Sequence, residues 1–102
     1  MKHMAIEERD RLIRAICQDV AEGRLDMPEA IRQLRVEVTG LNQATFARMC
    51  KISMRALNHL EHGDGNPTLK TLQSVFKVFG MRISLAMVDA YAGPTEQARS
   101  SE

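Results

Sequence analysis

The stretch Leu41–Gly63, LNQATFARMCKISMRALNHLEHG, constrains the fold of this chain more than any other, and DGNPTLKTL follows it at once. It holds two short helical patterns joined by a tight turn. Asn42 is a good N-cap, because its side-chain oxygen can accept an orphan backbone N–H. The first helix is predicted from about Gln43 to Cys50. Phe46, Ala47 and Cys50 fall at i, i+1 and i+4 and share one inward face. Lys51 and Ile52 make the turn, with Ile52 filling the angle between the helices, and Ser53 is the second N-cap. Met54, Arg55, Asn58 and His59 then share the outer face of the second helix, while Leu57 and Leu60 point inward. Gly63 supplies the left-handed residue that ends it.

This is the layout of a helix-turn-helix, whose second helix enters the major groove of DNA. The residues resemble the Cro and lambda-repressor-like (XRE-type) DNA-binding domains. The match runs without a gap from Asn42 to Gly63. It takes in Gln43…Phe46-Ala47, the Ile52-Ser53 turn exit, Leu57 and the ending Leu60-Glu61-x-Gly63. Asn66-Pro67-Thr68-Leu69-x-x-Leu72 resembles the family's entry to the following helix. With Leu34-Arg35 upstream and Phe79-Gly80 downstream, the resemblance spans roughly 32–85. It implies that Gln43 contacts phosphate at a helix N-terminus, where anions are favoured. It also implies that Arg55 and His59 reach base edges, with Ser53, Met54 and Asn58 completing the DNA-facing set. Arg can fork onto guanine O6 and N7. Two positions depart from the family. Lys51 stands where Gly is usual, and a non-Gly residue there costs on the order of 1 kcal/mol. Met54 replaces a common polar residue, so its readout would be apolar contact.

Around this unit the chain reads as helical. Ile6–Glu22 carries Ile6, Leu12, Ile13, Ile16, Cys17 and Val20 as an apolar stripe, and Gly23 stops it. Asp26-Met27-Pro28-Glu29 reads as a capping box opening a second helix to about Val38, closed by Thr39-Gly40. Asp64–Pro67 is a loop, and Thr68 caps a helix from Leu69 to Phe79 ended by Gly80. Met81–Val88, MRISLAMV, alternates with period two and is predicted to be a strand. A strand with no partner in its own chain leaves a sticky edge, and the economical solution is pairing with the same strand of a second copy. A continued helix or a packed extended tail are the competing readings. The predicted architecture is mainly α: a lambda-repressor-like helical bundle with an added N-terminal helix and a short C-terminal β-strand. Its parts are an N-terminal extension 1–31, a DNA-binding unit 32–80, a dimerising strand 81–90 and a flexible tail 91–102.

At 102 residues the chain is one domain by the length prior. No run approaches the ~20 apolar residues of a membrane helix, and Met1-Lys2-His3-Met4 lacks the apolar core of a signal peptide. The expected location is the bacterial cytoplasm, associated with the nucleoid. Cys17 and Cys50 read as buried reduced thiols on apolar helical faces. The formal net charge is only +1, but its distribution is uneven: residues 1–34 carry net −1, 35–82 net +4 and 83–102 net −2. The basic excess thus falls on the unit that would meet phosphates.

These features favour a sequence-specific DNA-binding regulator, a repressor acting as a homodimer on a palindromic operator in double-stranded DNA. The alternative is an antitoxin that binds its toxin and represses its own operon, since NPTLKTL followed by FGMRISLAMVDA resembles HipB-type antitoxins. No enzyme activity is expected, because the chain has no nucleophile–base arrangement, phosphate loop or paired carboxylates. His59-x-x-His62 with Cys50 is too sparse a set to call a metal site, and no cofactor or membrane partner is expected.

Overall fold

Four of the five α-helices begin at a short polar side chain that accepts a backbone N–H three residues on. Asp26 accepts from Glu29 N at 3.0 Å, Asn42 from Thr45 N at 2.9 Å, Ser53 from Ala56 N at 2.9 Å and Thr68 from Thr71 N at 3.1 Å. Each such cap contributes about 1 kcal/mol, so the helix starts are set locally. The structure, a computed structural model, describes residues 4–88. Its helices are α1 (Ile6–Ala21), α2 (Met27–Gln33), α3 (Gln43–Cys50), α4 (Met54–His62) and α5 (Leu69–Phe76).

Two of them continue in a different helical form. α2 widens into a π-helical stretch, Leu34–Thr39, where Gly40 N reaches back five residues to Arg35 O at 2.7 Å. The Thr39 hydroxyl donates to the same carbonyl at 2.6 Å. The predicted second helix to Val38 is therefore continuous but not uniformly α. α5 tightens into a 3₁₀ turn, Lys77–Phe79, before Gly80. The capping box at Asp26 is only half formed, because the Glu29 carboxylate binds Arg32 and Gln33 rather than reaching back to its cap.

One core joins these elements. Ile31, Leu34 and Val38 of α2 and its π extension meet Phe46 and Cys50 of α3, Leu57 of α4 and Val75 of α5, all at most 2% exposed. Phe46 also stacks on Phe79, ring centroids 6.1 Å apart. Burying one such side chain is worth about 1.5–3 kcal/mol, which is what holds the turn between α3 and α4 in a single geometry. α1 lies across this bundle and inserts Ile16, with Leu12, Ile13 and Val20 packed beside it. The rest of the predicted α1 stripe fails at two places. Ile6 is 83% exposed because the first turn of α1 overhangs the bundle. Cys17 is exposed as well, since it borders a side of α1 that no described part of the chain covers.

Met81–Val88 does not form the predicted β-strand. Its first residues instead pack on their own chain. Met81 N donates to Phe76 O at 3.1 Å. The Gln73 carboxamide then holds the backbone at both ends of its dipole: Nε2 donates to Met81 O at 2.9 Å, and Oε1 accepts from Ile83 N at 2.8 Å. Met81 and Ile83 are half-buried against the core, whereas everything from Ser84 to Val88 is exposed. The period-two alternation thus records one packed face over three residues. A ladder needs a second strand, and the described residues supply none. The expectation for 89–102 lies outside the described residues.

Candidate nucleic-acid interface

The turn between α3 and α4 forms as its residues dictate. Lys51 adopts the left-handed conformation at φ 61°, the one non-glycine residue to do so among those described. Ile52 N donates to Ala47 O at 3.0 Å, and the Ile52 side chain packs against the core between the two helices. Ser53 then caps α4. At the far end Gly63 is left-handed at φ 74°, and Asp64 N closes on His59 O at 3.0 Å. A Cβ on Gly63 would also sit 3.4 Å from Pro28 Cγ.

α4 is held from behind by Leu57, Leu60 and Glu61, all buried. This leaves Met54, Arg55, Asn58 and His59 together on its open side, all exposed, with Met54 52% so. The four residues read from the sequence as one outer face are one outer face. The Ser53 hydroxyl, also exposed, accepts Ala56 N and retains its proton for an outside acceptor. His62, one turn beyond Asn58, donates from Nδ1 to Asn58 O at 2.8 Å.

The inward face of α4 carries an element that the sequence reading passed over. Glu61 is 3% exposed. Arg35, from the π-helical stretch, forks onto it: Nε to Oε2 at 2.7 Å and Nη2 to Oε1 at 2.9 Å. The third arm of Arg35, Nη1, donates to Leu41 O at 3.2 Å. Paired in this way, the Arg35 guanidinium is pushed further above its already high pKa, mainly by its hydrogen bonds to Glu61. Gln43 Nε2 donates to the same Glu61 Oε1 at 3.1 Å. One buried carboxylate in the last turn of α4 therefore ties that helix to the entry of α3 and to the π-helical stretch that continues α2. It also fixes Gln43 at the N-terminus of α3, where the amide keeps a second hydrogen free. The signal was present in the sequence: Glu61 follows Leu57 by four residues and so lies on the buried face. The pairing of Arg35 with Glu61 removes equal and opposite charges, so the +4 excess of residues 35–82 stands.

Among the described residues no group of His, Cys, Asp and Glu is placed to hold a metal ion. Cys50 is buried in the α3 face, and burial pushes its thiol up to about 11. No helix of the described residues is long and apolar enough to cross a membrane.

Two short helices joined through a left-handed turn, the second packed from behind and open in front, have the layout of a helix-turn-helix. The helix-turn-helix family pattern matches residues 31–85, more than half of the chain, and the chain belongs to that family. Over 72 residues it is 38% identical to the HTH-type transcriptional regulator DdrOP3 of Deinococcus deserti, covering 69% of this chain and 55% of that regulator. The chain thus spans about half the length of that relative. No solved structure matches the chain.

Proposed function

We propose that this protein is a sequence-specific DNA-binding transcriptional regulator, a repressor that binds a palindromic operator as a homodimer through α4. The observation that carries the reading is the joint exposure of Met54, Arg55, Asn58 and His59 on a helix whose opposite face is locked by Leu57, Leu60 and the Arg35–Glu61 pair. Arg55 forks onto a guanine, and Asn58 and His59 donate or accept at neighbouring base edges. Met54 packs on a thymine methyl. Gln43 and the first N–H groups of α3 take a backbone phosphate, favoured by the positive end of the helix dipole. Ser53 adds a hydroxyl at the start of α4. The regulator DdrOP3 supports the same reading through its name.

A single helix of this kind covers only a few base pairs, which is why two copies are needed for specificity. Footprinting on the DNA upstream of the protein's own gene, with sedimentation of the complex, tests the proposal. Two protected half-sites centred about 34 Å apart are expected, on a complex containing two protein chains. Uniform weak binding without a protected site, or one chain per site, contradicts it.

A further inference from the structure

Among the described residues an apolar groove of about 280 Å³ lies open between α1 and the segment that follows Gly80. Ile16, Cys17 and Val20 of α1 form one wall, Phe76 the floor, and Ile83 and Leu85 the other rim. A dry apolar cavity of roughly 150 Å³ already holds a benzene-sized group, so this groove admits more than one aliphatic side chain. Beside it lies the most exposed large apolar residue among those described, Leu85 at 98%, with Met87 at 64% and Val88 at 67% further along the same segment. Hole and knob therefore lie side by side on one surface.

We infer that this groove is the seat for Leu85 of a second copy of the same chain, so that α1 serves as half of the dimer contact. The inference rests on the dimer reading above and assigns its surface. Adjacency decides the geometry. When a groove and the side chain that fills it lie next to each other, a two-fold axis between them makes both insertions at once and closes the assembly at two chains. A groove and knob on opposite faces would instead propagate head to tail. The exposure of Cys17 and of the Leu85–Val88 run then has one cause, since both are surfaces of a contact that one copy cannot complete. The chain's own residues 89–102, DAYAGPTEQARSSE, are a poorer occupant, with Tyr91 as their one large apolar side chain. α1, which lies outside the residues that the helix-turn-helix family pattern matches, thereby acquires a role: it sets the distance between two α4 helices.

Cys17 in the groove wall permits a direct test with the full chain. A variant carrying Leu85→Cys and Cys17→Ser is mixed with unaltered protein, allowed to exchange, and oxidised mildly. A disulfide between position 85 of one chain and Cys17 of the other can then form only across the interface. A covalent dimer on a non-reducing gel, with that pair identified by peptide mass, is expected. Two results overturn the inference while leaving the dimer reading in place or untouched. In the first, sedimentation gives a dimer but no such cross-link forms, so the dimer reading stands and its contact lies elsewhere. In the second, Leu85→Cys alone closes onto Cys17 of its own chain, so the groove takes its own segment. A protein that sediments as a monomer at all concentrations and on DNA overturns the dimer reading along with this inference.

Discussion

Replacing Arg35 with Met would remove two of the three hydrogen bonds that hold the Glu61 carboxylate, leaving only the Gln43 amide. The Glu61 side chain is 2% exposed and that of Arg35 15%, so water cannot fill the vacated place without opening the core. Two unit charges about 4 Å apart attract by about 4 kcal/mol at an effective dielectric constant near 20. Breaking a buried pair from one side costs about 3–5 kcal/mol in measured systems. A loss near 3 kcal/mol is therefore expected for Arg35→Met, a large fraction of the roughly 5–15 kcal/mol that stabilises a domain. Combining it with Glu61→Leu removes the stranded charge and leaves the Gln43 amide without its acceptor and Leu41 O without its donor, at a cost of about 1 kcal/mol each. The double variant should be the more stable of the two. Urea denaturation followed by far-UV circular dichroism reads both. The reasoning fails if Arg35→Met loses under about 1 kcal/mol, or if the double variant is less stable than Arg35→Met alone.

Three other expectations follow from particular residues. Cys50, at 2% exposure, should react with a thiol reagent only after unfolding, whereas Cys17, exposed in a single chain, should react promptly at dilutions where the protein is monomeric and become protected as the dimer forms; mass spectrometry of labelled peptides distinguishes them. Because burial raises the Cys50 thiol from 9.0 to about 11, the stability it contributes is full below pH 9 and lost as pH rises towards 11, by at most about 3 kcal/mol; Cys50→Ala should flatten that part of the stability–pH curve. Lys51→Gly should relieve left-handed strain of about 1 kcal/mol or more, partly offset by glycine's greater entropy when unfolded, for a net gain of about 0.5 kcal/mol read as a higher melting temperature.

The caps, the turn and the open face of α4 were legible in the sequence because each depends on residues at most five positions apart. Asn42, Ser53 and Thr68 cap the helices they were expected to cap, and Lys51 takes the left-handed place that its position after Cys50 requires. What was missed depends on distant partners. Arg35 and Glu61 are 26 residues apart, and a charge count treats them as independent surface groups. The α1 stripe was misread at Ile6 and Cys17 because helical periodicity gives a face but not how much of it another element covers. Met81–Val88 alternates as a strand does, yet alternation supplies no partner, and Gln73 satisfies Met81 O and Ile83 N with a side chain instead. The π-helical widening at Leu34–Thr39 arises from the Thr39 hydroxyl and Gly40 N both taking the carbonyl of Arg35, a competition that helix propensity does not register.

The central claim is that α4 reads base sequence through Arg55, and its most direct measurement is a binding profile over all single base-pair changes in the operator, for the unaltered protein and for Arg55→Ala. Arg55 is exposed, so its removal should leave the melting temperature unchanged. The unaltered protein should prefer one guanine in each half-site by about 1–3 kcal/mol, and Arg55→Ala should lose that preference while keeping the others. A variant that folds normally and returns the same profile at every position would show that α4 does not read DNA through Arg55.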